Sequence, residues 1–153
     1  MAKKVLIIYA TNSGGTQISS NIIETIFKQK GQDVILKKVS NINPEEFSSF
    51  DLIIFGSPSW DYQGKEGQLH QDYLPFLEKA KGKTFPDKKF AVFGLGDSSY
   101  TYFCGSATHL ENLVKNLNGQ KIGDTLRIDG FYFNQDENSK KVEEWATNLA
   151  NQL

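Results

Sequence analysis

The chain has 153 residues, is 39% hydrophobic and carries a formal net charge of −1, which fits one globular domain over 1–153 and excludes both a disordered chain and the basic excess of nucleic-acid binders. Its one cysteine, Cys104, excludes an internal disulfide and a multi-cysteine metal centre, and the two histidines, His70 and His109, stand in no ligand spacing and are expected to face solvent or pack. No apolar run approaches the ~20 residues of a membrane span, and Val5–Ile8 is shorter than the apolar core of a signal peptide, so a cytoplasmic protein with no membrane partner is expected.

Val5–Tyr9 is apolar and partly β-branched, as a strand buried on both faces should be. It runs straight into Thr11-Asn12-Ser13-Gly14-Gly15-Thr16, and a helix follows from Gly15 or Thr16 to Gln29. Ile18, Ile22 and Ile26 repeat along that helix, Ile23 and Phe27 widen the stripe, and Lys28, Lys30 and Gly31 suit its end. A second strand covers 33–39, and 43–46 reads as a loop or one short turn. The third strand, 51–55, ends at Gly56, and a polar, aromatic stretch follows to Gln68. A helix to about Lys81 and a fourth strand over 88–93, closed by Gly94-Leu95-Gly96, come next. A helix over 104–117 carries Leu110, Leu113, Val114 and Leu117 on one side. The chain ends with a weaker fifth strand, 122–128, and a helix over 139–152 using Val142, Trp145, Ala146 and Leu149.

This alternation predicts an α/β fold with a parallel sheet, helices on both faces and right-handed crossovers. Strand orders 3-2-1-4-5 and 2-1-3-4-5 both fit, and in each a ligand belongs beyond the carboxyl ends of the strands at the switch point. Several occupants of such a site are excluded by residues. The first loop lacks both G-x-G-x-x-G and the lysine of a nucleotide-hydrolysing P-loop, and Gly94-Leu95-Gly96 has no third glycine in place. The first and third strands end in Tyr9-Ala10 and Phe55-Gly56, not in the carboxylates of a phosphoacceptor, and Cys104 is far from the first loop.

What remains is a loop whose N–H groups, helix dipole and hydroxyls (Thr11, Ser13, Thr16) suit a monophosphate; the alternative for the loop read alone is a turn that is simply rich in small polar residues. Two further loops weigh on that choice. Pro58-Ser59-Trp60-Asp61-Tyr62 and Leu95-Gly96-Asp97, continuing to Tyr100-Thr101-Tyr102-Phe103-Cys104, each place aromatics among turn residues. Two such loops flanking one switch point can sandwich a flat ring, with Asp97 and backbone groups at its polar edge.

In Thr11–Thr16, Ser57–Trp60 and Gly96–Gly105 the chain resembles the flavodoxins, and the match runs through the whole chain in order. The resemblance implies a flavodoxin-like doubly wound, five-stranded parallel sheet of order 2-1-3-4-5, the short-chain type, with FMN at the switch point between strands one and three, a rule of which flavodoxins are a standard instance. It implies that Thr11, Asn12, Ser13, Gly14, Gly15 and Thr16 bind the phosphate. Trp60 covers the inner ring face and Tyr100 the outer face. Asp97 lies at the pyrimidine edge, with backbone from Leu95 to Cys104 around it, while Pro58, Ser59, Tyr62, Tyr102 and Phe103 complete the loops and Cys104 acts through backbone and packing.

The implied function is a low-potential one-electron carrier, a monomer moving electrons from a flavodoxin or ferredoxin reductase to low-potential oxidoreductases. The alternative on the same fold is a small FMN-dependent NAD(P)H oxidoreductase of quinone or azo reductase type. In flavodoxins a backbone carbonyl after the tryptophan turns toward the half-reduced flavin; here that peptide is Asp61–Tyr62. Asp61 stands where many relatives have glycine, so a less stabilised half-reduced state is expected. Flavodoxins are typically strongly acidic and this chain is nearly balanced, but its acidic residues Asp61, Glu66, Asp72, Asp97, Asp129, Asp136 and Glu137 map toward the cofactor end and most lysines toward the other.

Overall fold

A computed structural model describes residues 2–62, 65–99, 101 and 103–153, with backbone alone for Asp61 and Tyr62. The chain runs β1 (Lys4–Tyr9), α1 (Gly15–Gln29), β2 (Asp33–Lys38), β3 (Leu52–Pro58), β4 (Trp60–Tyr62), β5 (Lys65–Gln68), α2 (Tyr73–Ala80), β6 (Lys89–Gly96), α3 (Gly105–Asn116), β7 (Gln120–Lys121), β8 (Leu126–Asp129) and α4 (Gln135–Ala150). Short 3₁₀ turns occupy Val39–Asn41, Pro44–Ser49 and Phe131–Asn134.

β2, β1, β3 and β6 pair in that order, all parallel, and the free side of β6 takes β7 and then β8. This is the 2-1-3-4-5 arrangement, with the fifth place shared by two short pieces. The predicted single strand over 122–128 is therefore broken. Ile122 still donates its N–H to the carbonyl of Phe90 at 2.8 Å, but Gly123 turns the chain away with φ 66°, and the Asp124 carbonyl is taken by the Trp145 indole N–H at 2.7 Å.

Side-chain alternation along the central strands sorts the core into two layers. Leu6, Ile8, Ile53, Phe55, Phe90 and Val92 face α2 and α3, where Tyr73, Phe76, Leu110 and Val114 meet them. Val5, Ile7, Leu52, Ile54, Ala91 and Phe93 face α1 and α4, against Ile23, Phe27, Val142 and Leu149. The buried stripe of α1 is Gly15, Thr16, Ser19, Ser20, Ile23 and Phe27. Ile18, Ile22 and Ile26, the predicted centre of that stripe, lie at its half-buried margin. Serine can hold the buried positions because Ser19 and Ser20 donate their hydroxyls to the carbonyls of Gly15 and Thr16, at 2.9 and 2.8 Å, so neither hydroxyl is left unpaired.

Three boundaries differ from expectation for local reasons. The stretch after β3 contains the antiparallel hairpin β4–β5, and α2 starts only at Tyr73. α4 begins at Gln135, four residues earlier than predicted, with Asp136 and Glu137 in the first turn where the dipole favours them. Buried Asn138 anchors that start, its side-chain amide donating toward the carbonyls of Asp129, Gly130 and Phe131 at 3.2–3.3 Å. Among the described residues no helix is long and apolar enough to cross a membrane.

Candidate functional site

The parallel register brings the carboxyl ends of β1, β3, β6 and β8 to one end of the sheet, where a cavity of about 470 Å³ opens. Its wall includes Thr11, Asn12, Ser13, Gly15 and Thr16 from the first loop, Pro58, Ser59 and Trp60 from the second, and Leu95, Gly96 and Asp97 from the third. All three loops singled out from the sequence thus converge. Tyr73 ties two of the strand ends together: its buried hydroxyl points at the carbonyls of Gly56, at 2.9 Å, and Ile8, at 3.3 Å, and burial pushes its ionisation far upward.

The first loop is built as an anion cradle. Gly14 is the N-cap of α1 at φ 94°, a conformation that suits glycine, and its N–H is closed onto Thr11 Oγ1 at 2.9 Å. A Cβ at Gly15 would come within 2.9 Å of the Leu95 side chain, so the helix start lies hard against the third loop. α1 has no side-chain cap and no acidic residue in its first turn, leaving its positive dipole end uncompensated. Thr16 is 1% exposed, and its Oγ1 has no hydrogen-bond partner among the described residues. A buried hydroxyl without a partner costs about 1–3 kcal/mol, which an acceptor placed beside it removes. A phosphate at this helix end supplies that acceptor, so the residues present fit a phosphate monoester. Among the described residues, no lysine or arginine is in the cavity wall.

Half-buried Trp60 stands at the start of the hairpin. Its loop is pinned on both sides: Ser59 donates its N–H to the Leu95 carbonyl at 2.7 Å, while Ser59 Oγ accepts from the Ser106 N–H at 3.2 Å and lies 3.0 Å from Ser106 Oγ. Ser59 therefore serves α3 as well as the cavity. Asp97 sits at the rim, where the Ser99 backbone N–H, at 2.8 Å, and the Ser99 hydroxyl hold its carboxyl below the ordinary 3.8. Asp129 performs a similar task, accepting from the Ser98 N–H at 2.8 Å.

Phe103 packs against the α2–α3 side of the core, outside the cavity wall. Cys104 is fully buried in the left-handed region (φ 50°) as the N-cap of α3, its Sγ near the carbonyls of Ile128 (3.5 Å) and Gly94 (3.7 Å), and burial pushes its thiol up to about 12. A thiol so held is a packing group. The expectations for Tyr100 and Tyr102, and for the side chains of Asp61 and Tyr62, lie outside the described residues.

Four cavity-lining residues were not among the expected cofactor-binding residues: Glu66, expected only as an acidic residue at that end, and Gly67, Phe131 and Tyr132. The first two come from the hairpin, and Glu66 accepts from the Thr101 N–H at 3.0 Å. Phe131 and Tyr132 follow β8, and the Tyr132 hydroxyl donates to the Ser13 carbonyl at 2.5 Å. The run Gly130-Phe-Tyr-Phe-Asn134, aromatic and placed just past a strand end, carried the same signal as the other loops. His70 also belongs here, its Nε2 2.8 Å from Asn12 Oδ1 and its ring 6.2 Å from that of Trp60, whereas His109 is exposed.

Comparison with known proteins agrees with this geometry. The flavodoxin family model matches residues 7–145. A flavodoxin of Maridesulfovibrio salexigens is 30% identical, the alignment covering 98% of this chain and 99% of the relative. The crystal structure of oxidised flavodoxin 2 from Bacillus cereus superposes with a TM-score of 0.87 at 27% identity, covering 98% of this chain and 99% of the other. The crystal structure of Fusobacterium nucleatum flavodoxin bound to flavin mononucleotide superposes at 0.82, with 22% identity and 99% of both chains covered. With a family match across nearly its whole length and the family's strand order in its sheet, the chain belongs to the flavodoxins.

Proposed function

We propose that this protein is a low-potential one-electron carrier that uses bound FMN, a cytoplasmic monomer passing electrons from a reductase to acceptor redox enzymes. The observation that carries the reading is the Thr16 hydroxyl, buried at an uncapped helix start and without a hydrogen-bond partner among the described residues, beside a cavity bounded by Trp60. Bound FMN supplies a ring system that exchanges electrons singly. The first loop then holds the phosphate, Trp60 shields one ring face, Tyr100 the other, and the backbone around Leu95–Asp97 meets the polar edge.

Low potential follows from what surrounds the ring. Glu66 and Asp97 are the charged side chains of the wall among the described residues, and neither favours added negative charge beside it. A phosphate held by dipoles and hydroxyls alone leaves its own charge in place.

The charge distribution supports a basic partner docking at this end. Lys3, Lys4, Lys28, Lys30, Lys79, Lys81, Lys83, Lys88, Lys89, Lys115 and Lys121 belong to strand starts, helix ends and the turns between them, opposite the cavity. Glu66, Asp97, Asp129, Asp136 and Glu137 belong to the cavity end; the exceptions run both ways, with Lys38 and Lys65 at the cavity end and Asp33, Asp51, Glu78 and Asp87 among the lysines. Such a dipole steers association of a positive partner, and raised salt is expected to slow reductase-to-carrier transfer.

The test is a visible spectrum of the purified protein during dithionite titration. A yellow protein reduced in two resolved steps, and not bleached by NAD(P)H alone, supports the carrier. Direct bleaching by NAD(P)H without a reductase overturns it in favour of an oxidoreductase, and a colourless protein that takes up no FMN removes both.

A further inference from the structure

We propose that His70 is a positioning residue for the phosphate, fixing the side-chain amide of Asn12 so that its NH₂ end is presented to the anion. The proposal rests on the reading above that the Thr11–Thr16 loop takes the phosphate of FMN.

The His70 side chain is 12% exposed, and its ring is held at both nitrogens. The Asp72 backbone N–H donates to Nδ1 at 3.0 Å. A ring nitrogen that accepts a hydrogen bond carries no proton, so in the neutral imidazole the proton is on Nε2. Nε2 lies 2.8 Å from Asn12 Oδ1 and therefore donates to it. The Asp72 carboxylate, 3.6 Å from Nδ1, is beyond hydrogen-bonding range. The residue itself is fixed at the end of β3, since its own N–H donates to Ser57 Oγ at 3.1 Å.

An asparagine amide has an acceptor end and a donor end. With Oδ1 engaged by the imidazole, the donor end is the one left for a ligand, and a phosphate monoester dianion offers only acceptors. Asn12 is otherwise an exposed side chain in a loop, free to turn its oxygen toward the anion and repel it. The bond joins residues 58 apart in sequence, one on the first loop and one on the segment between β5 and α2, so it also ties that segment to the loop. His70 has a second route to the cofactor through Trp60, whose ring lies 6.2 Å away at 38°. The two routes separate experimentally, because riboflavin shares the ring of FMN and lacks the phosphate.

Dissociation constants for FMN and riboflavin would be measured on the apoproteins of wild type, His70→Leu, His70→Gln, Asn12→Ala and the His70→Leu/Asn12→Ala double variant. His70→Leu is expected to weaken FMN about three- to tenfold and to leave riboflavin unchanged, as loss of one neutral hydrogen bond predicts. His70→Gln, whose amide N–H can donate to Asn12, is expected to restore most of the loss, and His70→Leu is expected to add nothing once Asn12 is alanine. Imidazole ¹⁵N shifts of the wild-type apoprotein should show the Nε2-protonated tautomer, a readout that needs no variant to fold. Equal losses for FMN and riboflavin, no loss, or an Nδ1-protonated ring would overturn the proposal. Failure of the underlying phosphate reading looks different: the wild type would then bind FMN no better than riboflavin, and both ideas fall together.

Discussion

Replacing Thr16 by valine should move apoprotein stability and cofactor affinity in opposite directions. Valine keeps the shape of threonine and removes the hydroxyl of a residue that is 1% exposed, a hydroxyl with no hydrogen-bond partner among the described residues. An unsatisfied buried group costs about 1–3 kcal/mol, so its removal should stabilise the apoprotein by roughly 1 kcal/mol once partial access of water to the loop is allowed for. For a domain of this size that is a rise in Tm of about 2–4 °C. In the bound state the same hydroxyl donates to a charged phosphate, an interaction of about 1.5–3 kcal/mol, and its loss should raise the FMN Kd about 10- to 150-fold. Riboflavin binding should not change. The measurements are thermal unfolding of the apoprotein by circular dichroism and quenching of flavin fluorescence on titration with apoprotein. A destabilised apoprotein with unaltered FMN affinity would refute the reasoning, because the hydroxyl would then be serving the fold alone.

Trp60→Ala should weaken FMN and riboflavin alike, about tenfold or more, since stacking acts on the ring that both share; a loss confined to FMN would place Trp60 in the phosphate site instead. Asp97 makes a pH-dependent contribution to stability. Its folded-state carboxyl is held below the ordinary 3.8 by Ser99, so that contribution is complete above 3.8 and is lost as the pH falls through the lower folded value. Urea unfolding should therefore show wild type and Asp97→Asn converging in stability as the pH is lowered from 5 toward 2, and a constant gap counts against the Ser99 contacts. Asp61→Gly should increase the long-wavelength absorbance that appears midway through dithionite titration, as relief of a residue disfavoured in a turned peptide predicts. An unchanged or smaller band would show that the peptide does not turn.

The parts of the fold visible in the sequence were those where one local signal ruled. Val5–Tyr9 and 52–55 are apolar without interruption because both faces of these strands are covered, and the strand order followed once the three loop motifs had been recognised. Misreadings came where tertiary contacts overrode a local pattern. In α1 the isoleucines looked like the centre of the stripe, yet serines fill it, because back-bonding to the preceding turn makes a serine acceptable there. The fifth strand broke at Gly123 because Trp145, on a helix some twenty residues later, claims the Asp124 carbonyl, a contact that no window of local sequence contains. His70 was passed over for the same reason. A lone histidine has no spacing to read, and its contacts are with partners at positions 12, 60 and 72.

Three departures from ordinary helix and core rules stand together at the cavity end of the sheet, and that grouping is itself informative. α1 starts on a left-handed glycine with no side-chain cap, a hydroxyl is buried without a partner, and α3 starts on a non-glycine residue at φ 50°. At the opposite end Asp87 and Asn118 also take positive φ, but Asn43 and Glu46 form a reciprocal capping box, and Lys28, Lys79 and Lys115 sit in the last turns of their helices where the dipole favours them. The first two leave a positive dipole end and a hydroxyl donor that an anion would satisfy. An apoprotein carrying them is less stable than its fold allows, and the deficit returns as affinity when the ligand binds. On this argument, a stabilising substitution at the cavity end trades directly against cofactor binding, and one at the lysine-rich end does not.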